Sequence, residues 1–388
     1  MSGAFHTGTY SNLFKEIGKS DEEIKNRLNE VFEEIFFGEE RIYFYDGDMG
    51  YVTDTGNNDV RTEGQSYAMM VFLQMDRQED FNRIWKWTKT YMYLNEGWNK
   101  GYFAWSMHLD GSPNSDSPAP DGEEYFALAL FFAAAKWGDG DGIFNYTEQA
   151  KQILRDCVHK GEEGYGNDGH PMWNPENKLI KFVPGWEMTD PSYHLPHFYE
   201  IFALKADPND RNFWKEAVKA SRDYLRTACH PVTGLAPEYT YYNGTPDPVT
   251  NAPDGTYEHP GHDKFYSDAY RVAANLGLDW EWFGDDPWLR ETADKIQRFF
   301  YEPGQPGAEN PDKTYETDGT VIDFPSLHPI GLLATNAQAS LAAQGKYKLM
   351  LVERFWNTPP RKGERRYYDN FLYIFAFLAL SGNYKIYI

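Results

Sequence analysis

Cysteine is nearly absent: the 388 residues contain two, Cys157 and Cys229. They stand far apart in helical patterns and make neither a metal nor a redox motif, so both are expected to be buried free thiols. No apolar run is long and unbroken enough to span a bilayer. Basic charge is short, with 37 Lys and Arg against 59 Asp and Glu and a net charge of −22. Phosphate backbones, anionic membranes and polyanionic substrates would repel such a chain. A neutral substrate suits it best, with no nucleic acid and no membrane as partners. Met1-Ser2-Gly3-Ala4-Phe5-His6-Thr7 has no basic stretch leading into an apolar one, which predicts a cytoplasmic protein. A Gly-rich phosphate loop and a Gly-x-Ser-x-Gly elbow are missing too. Gly138-Asp139-Gly140-Asp141-Gly142 resembles the opening of a calcium loop, but Ala150 stands where the twelfth-position Glu belongs. His194 and His197 fall three apart with no zinc motif around them, and are expected in the core or just behind a site. No metal and no cofactor is expected.

What the chain has in excess is aromatic surface, 17% of residues including 12 Trp and 28 Tyr. Most of these rings should pack the core, and flat apolar rings also suit the flat apolar faces of sugars. Helical patterns dominate. Ser20-Asp21-Glu22-Glu23 reads as a capping box, opening an amphipathic helix with Ile24, Leu28, Val31, Phe32 and Ile35 on one side. About twelve helices follow one another, alternately amphipathic and apolar, the apolar ones starting near residues 63, 121, 191, 267, 328 and 367. Six helices apolar all round and six with a polar face describe an all-α (α/α)6 barrel, a toroid of inner and outer rings. No boundary interrupts it, so residues 1–388 are expected to form one catalytic domain. Segments feeding the inner helices are mostly long and carry Trp, Tyr, Asp, Glu and His, whereas those leaving them are mostly short. The long segments should gather at one end as the functional face. The longest, about 230–266, is rich in Pro, Gly, Asp and Thr, and a segment of that length is more often functional than incidental.

The inner-helix starts bring together Glu63, Asp121, Tyr193, Asp268, His328 and Tyr367/Tyr368. Two separated carboxyls in different surroundings are what glycoside hydrolysis needs, one to protonate the departing oxygen and one to activate water or attack. Glu63 stands where a turn becomes a buried helix, and burial raises a carboxyl pKa, so it is the candidate acid. Asp268 precedes Arg271 by three residues, and a nearby guanidinium favours the ionised form, so it is the candidate base. Asp121 is the third candidate, with an N-cap role as its structural alternative.

Three motifs, Arg61-Thr62-Glu63-Gly64-Gln65-Ser66-Tyr67, Ala119-Pro120-Asp121-Gly122-Glu123-Glu124 and Ser267-Asp268-Ala269-Tyr270-Arg271, resemble those of family 8 glycoside hydrolases. The resemblance extends over nearly the whole chain, through Asp190-Pro191-Ser192-Tyr193-His194-Leu195-Pro196-His197 and Arg365-Arg366-Tyr367-Tyr368-Asp369-Asn370. It implies the (α/α)6 fold and hydrolysis with inversion. Within the family it is nearest to members that release xylose from the reducing end of xylo-oligosaccharides of three or more units. Carried over residue by residue, it implies Glu63 as proton donor, Asp268 as general base, Tyr193 as a holder of the attacking water and Asp121 as a carboxylate touching the sugar at the cleavage point. Trp105 and Arg271 match sugar-binding residues, and Tyr67, Tyr367 and Tyr368 lie in the same motifs and are counted with them. Leu327-His328-Pro329 matches a loop that blocks the cleft beyond one xylose, with His328 placed to bond the free anomeric hydroxyl. The stretch around 244–260 is longer than the resemblance leads one to expect.

Endo-acting xylanase, cellulase or chitosanase activity is the nearest alternative, and the Leu327-His328-Pro329 loop weighs against it. An unsaturated glucuronyl hydrolase on the same barrel would take anionic substrates, which the charge disfavours. A sugar-binding protein without catalysis would not need Glu63 and Asp268 together. The chain is expected to act as a monomer.

Overall fold

The structure is a computed structural model that describes residues 3–166, 168–248 and 259–388. Met1 and Ser2 and most of the stretch around 244–260 therefore lie outside the described residues. Twelve helices carry the architecture. The outer ones are α1 (Asp21–Phe37), α3 (Gln78–Trp87), α5 (Tyr146–His159), α7 (Arg211–Ala228), α9 (Pro287–Tyr301) and α11 (Lys348–Trp356). The inner ones are α2 (Thr62–Gln74), α4 (Pro120–Trp137), α6 (Pro196–Lys205), α8 (Arg271–Trp282), α10 (Pro329–Gln338) and α12 (Arg366–Leu380).

The ring follows from which faces can be wetted. In α2 every residue except Glu63 is buried, and in α12 every residue after Arg366 is. Helices without a polar face must be surrounded by others. Each inner helix packs on the next, α2 on α4, α4 on α6, α6 on α8, α8 on α10, α10 on α12, and α12 returns to α2. Outside them α3, α5, α7, α9 and α11 each lie against the inner helix that precedes them, and α1 lies against α12. This closed double ring is an (α/α)6 barrel. The α1 capping box forms with both of its bonds: Ser20 Oγ accepts from the Glu23 amide, and Glu23 bonds back to the Ser20 amide.

Two glycines explain how the inner helices close at the mouth. A Cβ on Gly64 would lie 2.7 Å from the Tyr367 ring, and one on Gly122 would lie 2.6 Å from Thr62 Cβ. Both distances are below van der Waals contact, so only glycine lets α2 meet α12 and α4 meet α2 there.

Three details depart from the sequence reading. Residues Ser267–Tyr270 form a 3₁₀ turn, and α8 begins only at Arg271, so Asp268 sits on the turn before the helix. The polar stretch after α9 contains an antiparallel pair, Lys313–Tyr315 with Val321–Pro325. Cys229 lies one residue past α7; like Cys157 it is a buried free thiol. Between inner helices the incoming connections are long except for 357–365 before α12, while the outgoing ones, such as 75–77 and 206–210, are short. Long connections therefore collect at one end.

Candidate active site

Arg271, the first residue of α8, is the centre of that end. Its side chain is 7% exposed and meets four carboxylates: Glu63 Oε2 at 3.2 Å, Asp121 Oδ2 at 3.4 Å, Asp190 Oδ2 at 3.5 Å and Asp268 Oδ1 at 3.6 Å. One buried cation cannot neutralise four acids, and crowded, desolvated carboxylates hold protons that isolated ones would release. Burial, reinforced by Asp121 and Asp268 and opposed by Arg271, pushes the Glu63 carboxyl up to about 8. Burial likewise raises Asp121 to about 6 and drives Asp190 well above the usual carboxylate range, again against Arg271.

The four acids are not equivalent. Glu63 lies in the first turn of α2, yet it does not cap the helix; the cap position is Arg61. Its Oε1 accepts from the Tyr367 hydroxyl at 2.9 Å and its Oε2 from Arg271 Nη1 at 3.2 Å. Asp121 is not an N-cap either, since Ala119 occupies that position in α4. Asp190 is fully buried and accepts from the Ser192 amide at 2.6 Å. Asp268 is the most exposed of the four, at 32% of its side chain, and the farthest from the guanidinium. The expected nearness of Arg271 to Asp268 holds, and the same guanidinium lies nearer still to the other three acids. Glu63 and Asp268 reach opposite nitrogens of one guanidinium.

Tyrosines line the guanidinium. Arg271 Nη1 donates to the Tyr67 hydroxyl at 3.0 Å, and the Tyr193 and Tyr368 rings stand 5.5 and 5.8 Å from the guanidinium carbon. Burial raises the Tyr193 and Tyr367 hydroxyls well above their ordinary range, so both remain donors. Trp105 is half-buried, and the Arg61 guanidinium lies 5.1 Å over its ring; Arg61 is held in turn by Asp54 and Asp59. The pairing of Val60–Arg61 with Ser106–Met107 fixes the Trp105 segment beside the start of α2.

His328 sits at the start of α10, its ring 4.7 Å from that of Tyr368. Its Nδ1 bonds Asp369 Oδ2 at 2.7 Å, and Asp369 Oδ1 accepts from the Gly331 amide at 2.7 Å. Arg361 bonds both Asp369 at 2.5 Å and the Leu327 carbonyl at 2.7 Å. Leu327 and His328 are therefore tied down from behind, while Pro329 is the exposed first residue of the helix.

The structure brings Glu63, Asp121, Asp268, Tyr67, Tyr193, Tyr367 and Tyr368 around Arg271, and puts His328 beside Tyr368. Sequence reasoning gave no role to Asp190, Arg361 or Asp369; Asp190 and Asp369 are visible only as parts of motifs, and Arg361 lies in none. It also missed Glu238, His259 and His262, whose ligand-type atoms lie within 4.8 Å of one another. The signal available was His259-x-x-His262 in the long segment. His194 and His197 are core residues: His194 bonds Thr189 and Ser221 and stacks on Tyr224 at 4.1 Å, and His197 packs on Trp282 at 5.4 Å.

The sequence model described as Glycosyl hydrolases family 8 matches residues 40–379. The chain belongs to this family. A family 8 relative from Halalkalibacterium halodurans, named reducing end xylose-releasing exo-oligoxylanase, is 56% identical over 99% of this chain and 96% of its own. A relative of the same name from Bifidobacterium adolescentis is 49% identical over 96% of each chain. The solved structure of Rex8A from Paenibacillus barcinonensis complexed with xylose superimposes with a TM-score of 0.93 and 54% identity, covering 100% of both chains. Endoglucanase 2 of Ruminiclostridium josui is 26% identical over 84% of this chain. Family 8 enzymes work with inversion at the anomeric carbon.

Proposed function

We propose that this chain hydrolyses xylo-oligosaccharides of three or more units and releases xylose from the reducing end with inversion. Residues 1–388 are read as one catalytic domain that acts as a monomer. In this reading Glu63 gives its proton to the oxygen of the departing xylose. Asp268 takes a proton from a water that attacks from the opposite face, and Tyr193 holds that water. Asp121 contacts the sugar at the cleavage point, and Trp105, Tyr67, Tyr367, Tyr368 and Arg271 shape its subsites. No described helix is long and apolar enough to cross a membrane. Two buried free thiols accord with action in a reducing cytoplasm.

The observation that carries the exo reading is the tethering of Leu327 and His328 by Asp369 and Arg361. A blocking loop works only if incoming substrate cannot push it aside, and charge-assisted bonds from two buried or half-buried groups supply that stiffness. Asp369 accepts the proton on His328 Nδ1, which leaves Nε2 as an acceptor for the anomeric hydroxyl of a terminal xylose. An endo enzyme would have no use for a fixed wall there. Xylotriose labelled at its reducing end is the test. The label should leave as free xylose from the first turnovers, and the new reducing end should appear first as the α anomer. Label in a ladder of oligomers, or a β product, would refute the reading.

Two outcomes follow at individual residues. In His328→Ala the preference for one-unit release should weaken by about tenfold, the order that the ~1 kcal/mol net contribution of one hydrogen bond supplies. Labelled xylobiose from xylotetraose measures it, and an unchanged preference would remove His328 from the recognition. In Asp121→Asn the basic limb of the kcat/KM profile should move to lower pH. The Asp121 charge helps hold the proton on Glu63, so removing it lets Glu63 ionise earlier. A limb that stays in place or moves up contradicts the assignment of that limb to Glu63.

A further inference from the structure

Glu238, His259 and His262 converge in the long segment between α7 and α8. Glu238 is 2% exposed. Its Oε2 lies 2.8 Å from His262 Nδ1 and 3.1 Å from His259 Nε2, and the two imidazoles face each other at 4.1 Å. A carboxylate with two histidines is a donor set that also suits a divalent transition metal. The Gly261 amide argues against one. It donates to His259 Nδ1 at 3.1 Å, so that nitrogen carries the lone pair and the ring proton is on Nε2, facing Glu238. Metal on Nε2 would require a proton on Nδ1, opposite an N–H that then has no acceptor. Protons hold this cluster together.

The remaining carboxylate oxygen, Oε1, accepts from the Asp268 amide at 3.3 Å. The residue before it, Ser267, has φ of 25°, a conformation costly for any residue with a Cβ. Such backbone persists only where its surroundings over-determine it. Here the Tyr368 hydroxyl bonds the Ser267 carbonyl at 3.4 Å on one side, and Glu238 holds the next amide on the other. The cluster also reaches Tyr193. His262 stacks on Tyr239 at 4.2 Å, Tyr239 packs on Phe182 at 4.3 Å, and Phe182 stacks on Tyr193 at 5.9 Å.

We propose that Glu238, clamped by His259 and His262, is the positioning residue for the attacking water: it fixes the Asp268 backbone, while the same cluster backs Tyr193 through Tyr239 and Phe182. The proposal rests on the reading of Asp268 as general base. It gives the long segment a purpose, since it joins the two groups that hold the water.

Azide provides the test, because it attacks an anomeric carbon without giving up a proton. Its nitrogen bonds C1, the C1–O bond to the departing xylose breaks, and Glu63 protonates that oxygen. In Glu238→Ala, kcat on xylotriose should fall about 30- to 100-fold with KM within about twofold, as expected for a base misplaced by an ångström or less. Azide should then restore turnover and yield the α-glycosyl azide. His262→Ala, at a partly exposed position, should show the same signature at about three- to tenfold, which covers the case in which Glu238→Ala does not fold. A fall that azide does not relieve, or kcat and KM rising and falling together, overturns the proposal. So does one equivalent of a transition metal in the purified enzyme that is lost in His262→Ala. Asp268→Ala is the reference: if it keeps full activity, the base assignment itself fails. If it is impaired and azide-responsive while Glu238→Ala behaves as wild type, only the positioning role fails.

Discussion

Glu63→Ala is expected to lower kcat on xylotriose by about 10²–10⁴-fold, the range contributed by a positioned general acid. The loss should depend on the leaving group. A β-xylobiosyl fluoride departs with little need of a proton, so the variant should hydrolyse it far closer to the wild-type rate. Equal losses on both substrates would mean that Glu63 does not act as the acid. The basic limb of the wild-type profile should vanish in Glu63→Gln, because the titrating group is gone. Stability should move the other way. The folded carboxyl is raised to about 8 from an unfolded value near 4.3, so the native state binds more protons between those pH values. Stability therefore falls as pH rises through that window, and Glu63→Gln escapes the fall. Its Tm should exceed that of the wild type by more at pH 8 than at pH 5. The acid is bought with stability: it works because it is crowded and half-desolvated.

Asp268→Asn is expected to lose about 10²–10⁴-fold in kcat as well, on xylotriose and on the fluoride alike, since both reactions need an activated water. That contrast with Glu63→Ala separates the two roles without a structure of either variant. Added azide should recover turnover with an inverted, α-configured product. Recovery with a β-configured product would place the nucleophile on the wrong face and would argue against inversion through Asp268. Activity within tenfold of wild type would remove Asp268 from the mechanism. The same substitution takes a negative charge from the neighbourhood of Glu63, so any residual activity should show its basic limb at lower pH.

Much of this was legible in the chain. Apolar helices such as Ala68–Leu73 and Phe371–Leu378 announce an inner ring because a helix with no polar face must be enclosed. Glu63, Asp121 and Asp268 stood out because each opens or adjoins such a helix at the end where the long segments gather. The glycines beside two of them were visible too, and their reason emerged as the close approach of Tyr367 to Gly64 and of Thr62 to Gly122. Asp190 and Glu238 were not singled out, for they lie in irregular backbone where no period marks a residue as buried. Arg361 and Asp369 were missed because their partners, Leu327 and His328, are more than thirty residues away.

The sequence by itself determined the alternation of enclosed and half-wetted helices, the closure that this forces, and the acids at the mouth, because burial periodicity is a local property of the chain. Only the tertiary structure decided that three of those acids and Asp190 share one guanidinium, that Glu63 keeps its proton while Asp268 faces solvent, and that His328 and Asp268 are each held from behind. Proton affinity and stiffness depend on charges and donors that meet through space, and no spacing along a chain records them.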